Sequence, residues 1–321
     1  ADYTTVVNGY DVTNTHTPEK TTITGSKTWD DADNQDGKRP DSITVRLFAD
    51  GTEVTSKIVT ANDNWSWSFT DLDKYNSGTE TVYTISEDEV ADYTTVVNGY
   101  DVTNTHTPEK TTITGSKTWD DASNQDGKRP SSITVRLLAD GKEVASKTVT
   151  ANDNWSWSFE NLDKYKDGTE IVYTISEDAV TDYITVVDGY NITNTHTPEK
   201  ISISGSKTWN DNGDQDGKRP ESITVRLFAD GTEVTSKTVT ANDNWSWSFT
   251  GLDKYNSGTE IVYTISEDTV ADYTTVVDGY NITNTHTPEK ISISGSKTWN
   301  DNGDQDGKRP ESITVRLFAD G

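Results

Sequence analysis

The feature that most constrains this chain is a near-identical repeat with a period of 90 residues. The motif Gly-Ser-Lys-Thr-Trp at 25–29 recurs at 115–119, 205–209 and 295–299, and Asn-Thr-His-Thr-Pro at 14–18 recurs at 104–108, 194–198 and 284–288. A unit of this length can bury a core of its own, whereas the units that stack in solenoids have roughly 20–45 residues. The sequence therefore predicts a string of similar domains that share one mechanical or adhesive task, rather than an enzyme with one active site.

The repeat divides the chain into three complete units and two partial ones. The predicted complete units are residues 21–110, 111–200 and 201–290, preceded by the C-terminal strands of a truncated repeat at 1–20 and followed by the N-terminal strands of another at 291–321. The segment Thr107–Lys110 is expected to be a short junction between units. Because the chain opens and stops within a repeat, we expect it to be a window of a longer polypeptide.

Composition favours an all-β chain and argues against several classes of partner. Thr, Val, Ile, Tyr and Trp are frequent, and no long segment has helical spacing. Acidic residues number 54 against 28 basic ones, and the net charge of −26 argues against nucleic acid or an anionic membrane as a partner. No apolar run is long enough for membrane insertion, and without cysteine no disulfide can stabilise these small domains.

Alternating apolar and polar residues predict about seven short strands in each unit. An antiparallel β-sandwich of immunoglobulin-like type accommodates that number of strands in one unit. Two-residue hairpin turns are predicted at Asp50-Gly51 and Asn98-Gly99, and loops at Asp30–Asp41 and Lys74–Gly78. In the first complete unit the predicted strands are Ile23–Trp29, Ile43–Ala49, Val54–Thr60, Trp65–Phe69, Val82–Glu87, Tyr93–Val97 and Val102–His106.

Three polar residues of each unit fall on strand faces that are otherwise apolar. Lys27, Glu87 and Asn104 each lie two or four residues from an Ile or Val of the predicted core, so each is expected to point inward. An unpaired Lys or Glu in that position is costly and normally finds a partner or changes its protonation state. Two interpretations follow from the residues alone.

In the first interpretation, Lys27 and Glu87 form a buried ion pair with Asn104 hydrogen-bonded nearby. In the second, the buried Lys loses its proton and becomes a nucleophile, while the Glu relays protons. Nζ of the Lys then attacks the Asn carboxamide carbon, ammonia leaves, and an isopeptide bond joins the first strand to the last.

The order of motifs within one unit resembles a known family. Gly-Ser-Lys-Thr-Trp, Asp-Gly-Lys-Arg-Pro, Asn-Trp-Ser-Trp-Ser-Phe, Leu-Asp-Lys-Tyr, Val-Tyr-Thr-Ile-Ser-Glu and Thr-Asn-Thr-His follow one another as in the B-type repeat of Gram-positive collagen adhesins, the Cna-B domain family. The similarity covers the whole unit and, by repetition, the whole chain. It implies a tandem array of inverse immunoglobulin-like β-sandwich domains of the kind used in adhesin stalks and pilins.

The resemblance also implies an intramolecular Lys–Asn isopeptide bond in each complete unit, formed with the help of a Glu. Carried over residue by residue, the three sets are Lys27, Asn104 and Glu87; Lys117, Asn194 and Glu177; and Lys207, Asn284 and Glu267. Asn14 has no upstream Lys in this chain, and Lys297 has neither its Glu nor its Asn. We therefore expect no bond at either of these two positions.

Other candidate sites have simpler interpretations. The acidic segments Asp30–Asp36 and Asn210–Asp216 lack the Glu that an EF-hand requires, so solvated turns are expected. Trp65 and Trp67, two apart on a predicted strand, are expected in the core, with a sugar- or peptide-stacking platform as the alternative if one ring is exposed. Each unit has one histidine, His106 in the first, without a second ligand at a recognisable spacing. No metal and no cofactor are predicted.

The sequence thus predicts a structural stalk or spacer of a Gram-positive surface adhesin or fibre, with self-crosslinking as its only chemistry. Such a protein would be extracellular, at the cell surface and anchored to the cell wall in its full-length form. Its partners would be neighbouring repeats in the chain, with a tip adhesin domain and a cell-wall anchor outside this window. The alternative is a multivalent binding module for host matrix protein or carbohydrate, which would gain avidity from repetition. Lateral assembly into filaments is disfavoured by the negative charge.

Overall fold

In the complete repeats, strands form where β-branched and aromatic residues alternate with polar ones. The computed structural model describes residues 3–320, and no α-helix occurs among them. In the strand Lys20–Asp30, Ile23 and Lys27 are buried while Thr22, Thr24 and the residues next to Lys27 are exposed. The predicted two-residue period is therefore confirmed for this strand, which is longer than expected at both ends.

Nine strands follow the same order in every complete repeat, after an N-terminal hairpin of β1 (Thr4–Asn8) and β2 (Asp11–Thr15). In the first repeat these are β3 (Lys20–Asp30), β4 (Ser42–Ala49), β5 (Thr52–Thr60), β6 (Ser66–Asp73), β7 (Tyr75–Asn76), β8 (Thr79–Glu80), β9 (Tyr83–Glu87), β10 (Thr94–Asn98) and β11 (Asp101–Thr105). One 3-10 turn, Ala61–Asp63, joins β5 to β6.

The second and third repeats reproduce this order. The second contains β12 (Lys110–Asp120), β13 (Ser132–Ala139), β14 (Lys142–Thr150), the 3-10 turn Ala151–Asp153, β15 (Ser156–Asp163), β16 (Tyr165–Lys166), β17 (Thr169–Glu170), β18 (Tyr173–Glu177), β19 (Ile184–Asp188) and β20 (Asn191–Thr195). The third contains β21 (Lys200–Asn210), β22 (Ser222–Ala229), β23 (Thr232–Thr240), the 3-10 turn Ala241–Asp243, β24 (Ser246–Asp253), β25 (Tyr255–Asn256), β26 (Thr259–Glu260), β27 (Tyr263–Glu267), β28 (Thr274–Asp278) and β29 (Asn281–Thr285).

Each repeat is a sandwich of two main sheets. In the first repeat one sheet has the order β10-β11-β3-β6 and the other the order β5-β4-β9. The pairing of β11 with β3 is parallel, and the other pairings in the repeat are antiparallel. The all-β sandwich predicted from the sequence is confirmed, with one difference: it is not wholly antiparallel, because its first and last long strands run side by side in the same direction.

The core lies between the inner faces of these two sheets. Val45 and Leu47 of β4, Val59 of β5 and Val102 of β11 are fully buried, and Trp67 of β6 is 3% exposed. Burying a Val or Leu side chain contributes about 1.5–3 kcal/mol. The same set of apolar positions forms a separate core in each repeat.

Two turn predictions need correction in detail. Asp50 and Gly51 form the predicted hairpin turn, since both have positive φ and Ala49 pairs with Thr52. In the second hairpin Asn98 still pairs with Asp101, so the two turn residues are Gly99 and Tyr100 rather than Asn98 and Gly99. The predicted loop at Lys74–Gly78 is wrong in part, because the short hairpin of β7 and β8 occupies it.

Trp65 also differs from its predicted place in a strand. The 3-10 turn before it ends at Asn64 in the left-handed region, and Trp65 itself has φ +52°. The strand therefore starts at Ser66, and Trp65 no longer shares a strand face with Trp67. Its half-buried ring instead packs edge-on against Trp29, with the ring centres 5.2 Å apart.

The chain forms two compact units, residues 1–198 and 199–321. The first holds the N-terminal hairpin and two sandwiches, and the second holds the third sandwich. The N-terminal strands expected at 291–321 do not form among residues 291–320, because this sequence contains none of the later strands that would pair with them. No helix between residues 3 and 320 has the length and apolar character to cross a membrane.

Candidate functional site

The parallel pair of β3 and β11 places two of the predicted site residues on one face of one sheet. Lys27 lies opposite Val102, and Asn104 lies opposite Trp29, two residues further along both strands. Residues two apart share a face, so Lys27 and Asn104 both point into the core. Val102 and Asn104 are fully buried.

Lys27 meets the third predicted residue across the core. Its Nζ donates to Oε1 of Glu87 at 2.6 Å, and both side chains are 0% exposed. Glu87 belongs to β9 of the opposite sheet, so this ion pair connects the two sheets. The pair recurs as Lys117 with Glu177 at 2.7 Å and as Lys207 with Glu267.

Burial controls the protonation of this lysine. It lowers the pKa of Lys27 from its ordinary value, and the hydrogen bond and charge of Glu87 oppose that effect without cancelling it. The pKa values of Lys117 and Lys207 are lowered for the same reason. The amine is therefore easier to deprotonate than a surface lysine, which is what a lysine nucleophile requires.

The carboxamide of Asn104 is buried without any hydrogen-bond partner among the described residues. Neither Nδ2 nor Oδ1 is paired, and the same holds for Asn194 and Asn284. Nζ of Lys27 lies 4.6 Å from the ring centre of Trp29, the residue directly opposite Asn104 in the register. The amine is therefore in contact with the residue that pairs with the asparagine.

A fourth residue of the cluster was not predicted from the sequence. Thr95 of β10 donates from Oγ1 to Oε2 of Glu87 at 3.1 Å, and Thr185 and Thr275 do the same in the other repeats. Thr95 also lies directly opposite Asn104 in the β10–β11 hairpin. The predicted turn at Asn98-Gly99 would have placed Tyr93 opposite Asn104, so the sequence carried no signal for Thr95.

The two partial repeats lack this arrangement. Asn14 is exposed on β2, where Oγ1 of Thr5 donates to its Oδ1 at 2.6 Å. Lys297 is exposed, donates to the carbonyl of Thr298 at 3.1 Å, and lies over the ring of Trp299. Neither residue meets the other members of a Lys–Glu–Asn set.

The acidic loop after β3 is closed by its own side chains. The buried carboxylate of Asp31 accepts hydrogen bonds from Arg39 at 2.6 and 3.0 Å, from the hydroxyl of Tyr93 at 2.8 Å and from the backbone of Asn34 at 3.0 Å. Across residues 3–320 no three acidic or histidine side chains cluster as a metal site would require. The loop is a structural element that fixes Tyr93 and Arg39 around Trp29.

His106 ties this loop to the junction between repeats. Nδ1 faces the carbonyl oxygen of Asp92 at 2.8 Å, and Nε2 faces Oδ2 of the buried Asp36 at 3.0 Å. The backbone N–H of Glu109, in the junction, donates to the same oxygen of Asp36 at 2.6 Å. Since both neighbours of the ring are acceptors, the doubly protonated ring satisfies both, and the hydrogen bond to Asp36 raises the pKa of His106.

This contact predicts a pH-dependent stability. The folded pKa values of His106 and His196 are raised, so their contribution is fully present below the unfolded value near 6.5 and is lost as pH rises through the folded value. We expect each histidine to contribute about 1 kcal/mol more to the free energy of unfolding at pH 5.5 than at pH 8.5. Urea unfolding of the wild-type chain and of the His106→Gln/His196→Gln variant at the two pH values measures this. An equal pH dependence in both proteins would contradict the assignment.

Comparison with known proteins gives one family and close relatives. The model of the Cna protein B-type domain matches residues 23–105, 113–195, 203–285 and 293–321. A collagen adhesin of Staphylococcus aureus is 48% identical over 332 aligned residues, covering 99% of this chain, which spans 28% of that protein's length. Each of the first three matched segments contains one Lys–Glu–Asn set.

Two solved structures of similar sequence come from Staphylococcus aureus. The crystal structure of two B repeat units of the collagen-binding protein of Staphylococcus aureus is 45% identical, with a TM-score of 0.53, over 91% of this chain and 80% of that one. A single B repeat unit of that protein is 43% identical, with a TM-score of 0.28, over 56% of this chain and 100% of that one. The two-repeat structure supports the tandem β-sandwich architecture described above.

Proposed function

Because this chain belongs to the Cna protein B-type domain family, we propose that it is part of the stalk of a Gram-positive cell-surface adhesin or fibre. Its repeats are structural rather than enzymatic domains. Each complete repeat is closed by an autocatalytic isopeptide bond between Lys and Asn, assisted by Glu. The bonds join Lys27 to Asn104, Lys117 to Asn194 and Lys207 to Asn284.

The observation that carries the crosslink is the unpaired asparagine. A buried polar group without a partner costs about 1–3 kcal/mol, and Asn104 leaves both its amide nitrogen and its oxygen unpaired. The same cost recurs in all three complete repeats, each time beside a fully buried Lys–Glu pair. A structural ion pair does not require this asparagine, whereas crosslinking requires it as the acyl donor that the lysine attacks.

The chemistry balances without any external reagent. Glu87 takes one proton from the ammonium of Lys27, and the neutral Nζ attacks Cγ of Asn104, sending the carbonyl electrons to Oδ1. When the carbonyl re-forms, the bond from Cγ to Nδ2 breaks. Glu87 passes a proton to Nδ2 and takes one from Nζ, so ammonia leaves and Glu87 ends in its neutral form.

The proposed location is the cell surface, with cell-wall anchoring in the full-length protein. The similar protein of Staphylococcus aureus is a collagen adhesin, and this chain corresponds to 28% of its length. A tip domain that binds a host matrix ligand and a cell-wall anchor would lie outside these residues. The partners of each repeat within the chain are the neighbouring repeats.

Multivalent binding by the repeats themselves is less well supported. That function would favour an aromatic side chain exposed at the same position in each repeat. Among residues 3–320, no Trp, Tyr or Phe is exposed at an equivalent position in all three complete repeats. Trp65 is half-buried and Trp67 is buried, so neither ring of this pair is fully exposed.

The intact mass of the chain under denaturing conditions tests the crosslinks. Each bond expels one ammonia of about 17 Da, so we expect the wild-type chain to be about 51 Da lighter than its sequence mass. Glu87→Ala should reduce the deficit to about 34 Da, and adding Glu177→Ala and Glu267→Ala should abolish it.

Glu89→Ala is the matched control, because Glu89 is exposed and lies two residues from Glu87. It should retain the full mass deficit. An unshifted wild-type mass would mean that Lys27, Glu87 and Asn104 form only a buried ion-pair cluster.

A further inference from the structure

The two oxygens of Glu87 have different partners. Oε1 accepts from Nζ of Lys27, and Oε2 accepts from the hydroxyl of Thr95 at 3.1 Å. The same division holds for Glu177 with Thr185 and for Glu267 with Thr275. The glutamate is therefore held between the attacking amine and a hydroxyl from the edge strand β10.

Thr95 lies beside the asparagine in the strand register as well. Thr95 and Asn104 are directly opposite each other in the β10–β11 hairpin, where side chains of such a pair are about 4.5–5.5 Å apart at Cβ. Oδ1 of Asn104 has no partner in the described structure. It is the atom on which negative charge would develop when Nζ attacks.

The N-terminal hairpin shows which contact the equivalent threonine makes when no glutamate is present. Thr5 and Asn14 occupy the same register as Thr95 and Asn104, but no Lys or Glu of their own repeat is present in this chain. There, the hydroxyl of Thr5 donates to Oδ1 of Asn14 at 2.6 Å. The same side chain in the same hairpin can thus reach either the glutamate or the asparagine oxygen.

We propose that Thr95, Thr185 and Thr275 stabilise the asparagine oxygen during formation of the isopeptide bond, an inference that rests on the proposed crosslinking. As Nζ attacks Cγ of Asn104, the hydroxyl of Thr95 turns from Oε2 of Glu87 to the oxyanion at Oδ1. When the carbonyl re-forms and ammonia leaves, the hydroxyl returns to the glutamate. The threonine forms and breaks hydrogen bonds only, so the atom balance of the reaction is unchanged.

The test compares crosslinking rates of the three repeats within one 321-residue chain. The chain is made by cell-free synthesis, samples are quenched in acid at timed intervals, and the linked and unlinked peptides of each repeat are quantified by mass spectrometry. Removing one oxyanion donor slows enzymes by about 10²–10³-fold, so we expect Thr95→Val to slow the Lys27–Asn104 bond at least about tenfold. The bonds of the second and third repeats should form at wild-type rates.

Two further variants separate hydrogen bonding from folding. Thr95→Ser keeps the hydroxyl and should restore a rate close to that of the wild type. Thr94→Val changes the neighbouring exposed residue of β10 and should leave the rate unchanged.

A Lys27–Asn104 bond that forms in Thr95→Val as fast as the bonds of the other two repeats would overturn the inference. Equal slowing by Val and Ser would also overturn it, since packing of the side chain would then be the cause. Absence of linked peptide in all three wild-type repeats would instead refute the crosslinking itself.

Discussion

Stretching the wild-type chain to high force is expected to give no unfolding step from any complete repeat. Tension enters and leaves each sandwich near β3 and β11, the strands that carry Lys27 and Asn104. A covalent bond between these residues lies directly in the load path and encloses the 76 residues between them. Those residues cannot extend until a covalent bond breaks.

Without the bonds, the same pull should unfold each repeat completely. In the Glu87→Ala/Glu177→Ala/Glu267→Ala variant we expect three steps of roughly 250 Å each, because an extended chain gains about 3.4 Å per residue. In the crosslinked chain only the 12 residues Thr105–Ser116 remain extensible between the first two bonds, which is roughly 40 Å. The three substitutions should therefore increase the extension of the chain under force by several hundred ångströms.

Single-molecule force spectroscopy on tethered 321-residue chains measures these steps directly. Glu89→Ala serves again as the control and should extend like the wild type. Steps of roughly 250 Å in wild-type chains whose intact mass shows three bonds would mean that the crosslinks are not in the load path. The stalk function would then lose its mechanical basis.

The sequence was sufficient to predict that the side chains of the site residues point inward, because the strands keep a period of two. Lys27, Glu87 and Asn104 each lie near a buried Ile or Val on the same strand, and the structure buries all three side chains as that period requires. The period specifies the face of a strand. It does not specify which strand is its neighbour, so the parallel pairing of β3 with β11 was not predicted.

The two-residue period also could not predict contacts between strands and loops that are distant in sequence. Thr95 reaches Glu87 because β10 forms the sheet edge beside the glutamate, an arrangement that only the assembled sandwich creates. His106 reaches Asp36 across 70 residues of sequence, with Asp36 in a loop that has no periodic pattern. Trp65 left its predicted strand because the preceding 3-10 turn ends in left-handed residues.

Gly205→Ala is expected to destabilise the third repeat strongly. A Cβ at Gly205 of β21 would lie 1.6 Å from the backbone carbonyl oxygen of Tyr280 and 2.8 Å from the ring of Trp247. A backbone atom cannot move aside without shifting the segment that leads into β29. We expect a loss of about 3 kcal/mol in the free energy of unfolding, at the upper end for overpacking.

The same displacement should prevent the third crosslink. Asn284 lies on β29, which pairs with β21 next to Gly205, so a shifted β29 no longer presents the carboxamide to Lys207. The intact-mass deficit of Gly205→Ala should therefore fall from about 51 to about 34 Da, with the bonds of the first two repeats intact. Urea unfolding followed by tryptophan fluorescence gives the accompanying loss of stability.

The chain supplies a matched control for this substitution. Residues 291–300 have the same sequence as residues 201–210, but a Cβ at Gly295 would meet nothing within 4 Å. Gly295→Ala should therefore change neither the mass deficit nor the stability of the third repeat. The two substitutions share the same local sequence, but only Gly205 lies in a strand with Tyr280 and Trp247 packed against it. An equal effect of both, or a full 51-Da deficit in Gly205→Ala, would show that close approach of the first and last strands is not what the glycine provides.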